Sequence, residues 1–440
     1  MKRASIAALA LALLVGCSGS DASSDGAASP TTKAGEGAGT STTATADDPH
    51  PCAWPTRADE TVNNIAYPDT AATYWGFGYR LAEGETLELA GTFPDARYAS
   101  FISYRPTGGV VDLLTDRDIA PDAGSTNPFA GDGRADGPHA YTVTVRPDLA
   151  DDTSGNDLGA STVEAGETTD TVPLSDAVEA KVRRDQLGSG GDDGTVGTVL
   201  YRVYLSSVDD DPTGGVGLPK ITVVGADGTR TEVPPCPEPG TSPAGQAMVE
   251  AFGPATDKPA PAAPIFIRPN GDQARLYPNP DNVYVATILE HQPGRVAVIR
   301  GKAPTFPDTR TGPVGQGEQV RYWSLCTNEY RKPYPVTTCA ADEDVALADD
   351  GTYTFVISTE AERPANATAE DGVTWLDWGS TDQDVLLLLR HMLASEDFPE
   401  SAVNLPPGQL ASTVMGPYTP VGAYCTTAQF EADDPACGGS

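Results

Sequence analysis

Four arginines recur at matching points of the chain and define its first candidate chemistry. Arg97 in RYASF corresponds to Arg321 in RYWSL, and Arg202 in LYRVYLSS corresponds to Arg390 in LLRHMLAS. Arg202 and Arg390 sit in runs that read as buried strands, where an unpaired guanidinium is prohibitive. Either each pairs with a carboxylate once per domain, with Asp69 and Asp281 as partners, or the arginines hold a carboxylate or sulfate ligand bidentately. Asp69, Arg97, Asp281, Asn282, Arg321 and Trp323 form the expected ligand-binding set. Tyr98, Tyr104, Tyr322, Trp323, Trp375 and Trp378 lie on or beside the same strands. They could stack on sugar rings, or fill a core with their polar edges bonded.

Acidic loops offer a second chemistry. Calcium needs six to eight oxygens, often from alternate carboxylates. Asp116, Asp118 and Asp122 are the best such set, although no loop has the full D-x-D-x-D-G spacing. Asp209–Asp211 and Asp342–Asp344 are lesser candidates. Hydrolysis by a carboxylate pair would draw on Asp281, Asp308 or Asp377. Nucleophile motifs are missing: there is no G-x-S-x-G after a strand, and no S-x-x-K in the folded region. His50, His139, His291 and His391 show no metal spacing, and His391 reads as a core residue.

The elements that must position these residues read as β-strands. ETLELAG (85–91), YTVTVR (141–146) and RVAVIR (295–300) alternate polar and apolar residues, as half-buried antiparallel strands do. Length and β-forming residues favour a central strand for VLLLLRHML (385–393). Short helices are expected over 175–187 and 243–251. The whole pattern also repeats. Residues 67–94 lie over 277–304 without a gap, matching Tyr67, Pro68, Tyr74, Gly84, Gly91 and Pro94 to Tyr277, Pro278, Tyr284, Gly294, Gly301 and Pro304. The two arginine blocks follow in order, with Tyr141 and Tyr353 each after an Asp-Gly. Four ordered blocks imply a doubled domain. The expectation is a mainly β fold: two tandem antiparallel jelly-roll-like β-sandwich domains, at 51–236 and 265–440, joined by a Pro/Ala-rich linker at 237–264, with minor helices.

Before these domains lies an export signal over 1–16, with Lys2 and Arg3 ahead of an apolar stretch and Leu14-Val15-Gly16-Cys17 at the cleavage point. A small residue followed by Cys resembles the bacterial lipobox, so Cys17 is the expected lipidation site. Residues 18–50 contain no Leu, Ile, Val, Met or aromatic residue. The segment 17–50 is therefore expected to be a disordered tether, reaching roughly 30 Å. The expected location is the extracytoplasmic face of a bacterial membrane, held there by the lipid anchor. Net charge is −34, which argues against nucleic acid as a partner. The six remaining cysteines allow fifteen pairings. The expected ones are Cys52–Cys236, Cys326–Cys339 and Cys425–Cys437.

NPDNVY at 279–284, GRVAVIRGKAP and RYWSL are similar to the first domain of a bacterial family known as domain of unknown function 1254. YTFVIS after Asp350-Gly351, TWL at 374–376 and LLLLR ending at Arg390 resemble its companion domain, number 1214. The resemblance covers about residues 270–400, with a fainter echo in 60–225. It implies a jelly-roll-like sandwich in exported or envelope proteins and carries no activity with it. The family reads N-P-D-T where Asn282 here replaces the Thr; the first repeat keeps P-D-T through Asp69 but loses the Asn. The functional expectation is a non-catalytic protein binding a glycan or small carboxylate without a cofactor, calcium apart. The alternatives are a carboxylate-dependent glycoside hydrolase and a purely structural surface protein.

Overall fold

The computed structural model describes residues 52–105, 108–130, 136–147, 155–161, 195–236, 259–270, 277–312 and 317–438. The leader, Cys17, the tether, both expected helices and most of the linker lie outside them. The fold is mainly β, with four sheets and minor helical turns.

In the first half, β1 (Thr56–Ala58), β2 (Ala72–Leu81), β8 (Thr195–Ser206), β4 (Ala96–Tyr104) and β5 (Val110–Thr115) form one sheet in that order. The other sheet runs β10 (Arg230–Glu232), β9 (Lys220–Val224), β3 (Thr86–Thr92), β6 (Ala140–Arg146) and β7 (Asp157–Gly159). Strand β6 alternates half-buried and buried residues along its length. Its Tyr141, Val143 and Val145 join Leu87, Phe101, Tyr201 and Val203 in a core between the two sheets. Cys52–Cys236 ties the ends of this half together.

The second half has β11 (Asn282–Leu289), β17 (Val385–Met392), β13 (Tyr322–Glu329) and β14 (Val336–Ala341) in one sheet, and β16 (Thr374–Asp377), β15 (Thr352–Ser358), β12 (Arg295–Lys302) and β18 (Val421–Thr426) in the other. VLLLLRHM is the central strand expected of it: Leu387 and Leu389 enter the core with Trp323 and Phe355. Strand β12 is buried on both faces. Val296 and Val298 meet a small second cluster completed by Phe430 of the five-residue helix α1 (Thr427–Glu431) and by Cys437. The cysteine pairs Cys326–Cys339 and Cys425–Cys437 are bonded as expected.

Strand order corresponds between the halves, β2-β8-β4-β5 matching β11-β17-β13-β14 and β9-β3-β6-β7 matching β18-β12-β15-β16. The correspondence extends to backbone that L-residues rarely adopt. Tyr67 and Tyr277 have φ of 60° and 49°, and Leu205 and Leu393 both have 47°. Tyr74 lies opposite Arg202, and Tyr284 opposite Arg390. The β2-β8-β4-β5 sheet meets the β11-β17-β13-β14 sheet through Ala72, Tyr98, Tyr204, Tyr322 and Met392. All these residues belong to one compact unit, Ala44–Ser440.

Candidate ligand site at the seam between the halves

Strand alternation gives β4 and β8 two unlike faces. One turns Phe101, Tyr201 and Val203 into the sandwich core. The other turns Tyr98, Arg202 and Tyr204 toward the second half, where β13 and β17 present Tyr322, Ser324 and Arg390. The seam is thus a buried polar layer between two apolar cores.

Its ion pairs are exchanged between the halves. Each of β5 and β14 runs into a 3-10 turn that tucks its first residue, Asp116 or Asp342, inward. Asp116 accepts the Ala99 amide N–H at 2.6 Å, and Asp342 that of Trp323 at 3.2 Å, so each is fixed to its own half. Each then receives an arginine from the other half. Arg321 donates from Nη1 and Nη2 to Asp116, both at 2.7 Å. Arg97 donates to Asp342 at 3.1 Å and reaches Glu343 at 3.3 Å. Burial pushes the carboxyls of Asp116 and Asp342 upward against the pull of these arginines, Asp342 to about 6. A third pair crosses as well: Arg390 Nη1 meets Asp69, which also accepts Tyr322 Oη at 2.9 Å and Ser324 Oγ at 2.8 Å.

These contacts correct the expected pairing of arginine with Asp69 or Asp281 inside each domain. Asp69 does hold an arginine, but one from the other half. Among the described residues Asp281 holds none, accepting instead from Tyr98 Oη at 2.7 Å and Thr115 Oγ1 at 2.9 Å. Of the expected ligand set, Asp69, Arg97, Asp281, Asn282 and Arg321 come together at the seam. Trp323 does not. It is fully buried in the second core, against Tyr353.

The aromatic candidates are likewise inside: Tyr98, Tyr104, Tyr322 and Trp378 are buried. Trp375, half-buried on β16, bonds Ser358 Oγ and lies beneath the Arg363 guanidinium. Strand β16 ends before Trp378, so the two tryptophans do not share one extended segment. The calcium set is not assembled. Asp116 is spent on Arg321, Asp118 is exposed beside Arg117, and Asp122 accepts from Thr142 Oγ1. Among the described residues, the one ligating cluster is Asp69 with Cys326 and Cys339, and those sulfurs are already bonded to each other. The hydrolase candidates lie on three separate segments. Asp308 is exposed, and Asp377 closes a turn at the Gly379 amide.

Arg202 stands apart from the other three arginines. It is 2% exposed, and its guanidinium lies 5.5 Å from the Tyr74 ring and 5.4 Å from the Tyr104 ring. Nη2 donates to the Tyr277 carbonyl at 2.7 Å, whereas among the described residues Nε and Nη1 have no hydrogen-bond partner. Among the described residues no carboxylate pairs with it. The surrounding tyrosines cannot balance the charge. Burial drives the phenols of Tyr74, Tyr98, Tyr104 and Tyr204 well above the usual range, so they stay protonated. Asn282 donates to Tyr204 Oη at 3.3 Å, while among the described residues its own Oδ1 has no partner. A cleft of about 300 Å³ opens at the edge of the seam, lined in part by Thr70, Thr73, Ser206 and Arg310.

No family model matches the chain. No curated protein matches it. Among solved structures, the chain is similar to an uncharacterised protein from Burkholderia cenocepacia, at 14% identity with a TM-score of 0.48, over 86% of this chain and 82% of that one. A protein from Vibrio parahaemolyticus is similar at 11% identity with a TM-score of 0.37, over 76% of this chain and 88% of that one.

Sequence reasoning singled out the arginines but missed Asn279, Asp342 and the tyrosines of positions 74, 204 and 284 as neighbours of one site. A signal was present in YRVY: on a strand buried on both faces, alternate polar positions must meet polar partners.

Proposed function

We propose that the protein is a non-catalytic ligand-binding component of a bacterial envelope, held by a lipid on Cys17 and lifted from the membrane by its tether, with its ligand seat at the seam. Arg202 carries this reading. A buried cation lacking both a carboxylate and most of its hydrogen bonds costs several kcal/mol, which a bound ligand would offset. The orphaned Asn282 Oδ1 nearby adds an acceptor. The burial of Tyr98, Tyr104, Tyr322, Trp323 and Trp378 leaves none of these rings exposed for a sugar to stack on, which favours a small polar ligand over a glycan. The resemblance to domains 1254 and 1214 supports an envelope setting, and the matching strand orders support a doubled gene. A thermal-shift screen of the folded chain against small carboxylates, oligosaccharides and envelope glycans tests the reading. Stabilisation by a small polar compound is expected; no stabilisation by any compound would contradict it.

A further inference from the structure

We propose that Arg202 seats one small monocarboxylate per chain, in the place where the other half supplies its own acid to Arg390. This rests on the reading that the seam binds a ligand, and it names the ligand's chemistry.

Two matched sites of the seam differ at one residue. Asp69 and Asn279 hold equivalent positions down to their hydrogen bonds. Asp69 Oδ1 accepts the Ala71 amide at 3.0 Å, and Asn279 Oδ1 that of Asp281 at 3.0 Å. Their carbonyls accept from Ala72 and Asn282, at 3.1 and 3.0 Å. Asp69 takes the Tyr322 hydroxyl, while Asn279 Nδ2 donates to that of Tyr98 at 3.1 Å. Ser324 lies directly across from Arg390, and Ser100 directly across from Arg202. The arginine, serine and tyrosine are therefore present twice, but only Asp69 pairs with its arginine; at the other site Tyr98 donates to Asp281, which among the described residues forms no ion pair with Arg202. Asn279 has the shape of Asp69 without its charge.

What is missing at Arg202 is a pair of acceptor oxygens facing Nε and Nη1, which Asp281, turned to Tyr98 and Thr115, does not supply. A small monocarboxylate supplies such a pair. Tyr74, whose ring lies against the Arg202 guanidinium, is only half-buried. The chain as a whole, at net −34, repels anions, so a carboxylate bound with preference over chloride needs a seat of its own.

The test compares acetate with chloride at equal ionic strength by thermal unfolding of the folded chain. In the wild type, acetate should raise the midpoint by a few degrees beyond chloride, because a ligand that binds only the native state stabilises it by mass action. Asn279→Asp, which restores an internal acid, should raise the midpoint without acetate and abolish the acetate increment. Arg202→Gln, which removes the cation the carboxylate would meet, should also abolish the increment. Equal effects of the two anions on the wild type would overturn the proposal, as would an acetate increment persisting in either variant. A compound of another class that stabilises wild type and Asn279→Asp alike would overturn the carboxylate seat and leave the ligand-binding reading standing. A screen in which nothing stabilises the protein removes both.

Discussion

Arg321 and Asp116 are almost wholly withdrawn from water and meet through two contacts of 2.7 Å, with Ala99 and Arg97 completing their hydrogen bonds. Removing one partner strands the other. Asp116→Ala should therefore cost about 3–5 kcal/mol in urea unfolding, whereas the apolar double replacement Asp116→Leu with Arg321→Met should cost much less. Equal losses in the two would mean that packing, not the pair, sets the effect. His391 makes a different residue-scale prediction. It is buried, its Nδ1 accepts from the Ala402 amide at 3.4 Å, and burial lowers its pKa to about 4. Above the unfolded value of about 6.5 it is neutral in both states and contributes no pH dependence. As pH falls from there toward 4, only the unfolded chain takes up the proton, so stability drops, by roughly 3 kcal/mol in all. Wild type and His391→Gln should show stability differences that diverge below pH 6.5; parallel curves would place the charged histidine in a compensated site.

At the scale of elements, the halves repeat a packing device as well as a strand order. Tyr141 on β6 folds its ring over Gly91 on β3, and Tyr353 on β15 does the same over Gly301 on β12. A Cβ at Gly91 would lie 2.6 Å from Tyr141 Oη, and one at Gly301 would collide with Tyr353 Oη. Gly91→Ala and Gly301→Ala should each destabilise by about 1–3 kcal/mol, and pairing each with Tyr→Phe at its partner should recover part of the loss. Melting curves of the four variants would check this. These glycines and tyrosines were legible in the sequence as aligned pairs, and so were β17 and the cysteine pairing, because each depends on local pattern or order along the chain. Asp116 and Asp342 were not legible as arginine partners. In the sequence these acidic loops read as calcium candidates, and only a 3-10 turn after β5 and β14 carries their first residues inside. Nor could the strand pattern show that Arg97 and Arg321 would reach across to the other half.

For the whole molecule, the three exchanged pairs make each half incomplete without the other. Arg97 needs Asp342, Arg321 needs Asp116, and Arg390 needs Asp69. Neither 51–236 nor 265–440 should fold stably when produced alone, because each would expose a face of buried arginine, aspartate and tyrosine. The whole should unfold in one calorimetric transition, and two separated transitions would show the seam to be weak. Replacing Cys52 and Cys236 with Ser, which opens a 184-residue separation, should cost about 2–5 kcal/mol and lower that single transition as a unit. The proposed ligand seat at the seam is tested most directly by hydrogen–deuterium exchange of the folded chain with and without acetate. Acetate should slow exchange at β2, β8 and β11, around Tyr74, Arg202 and Asn282. Unchanged exchange there, with protection confined to the outer sheets, would contradict it.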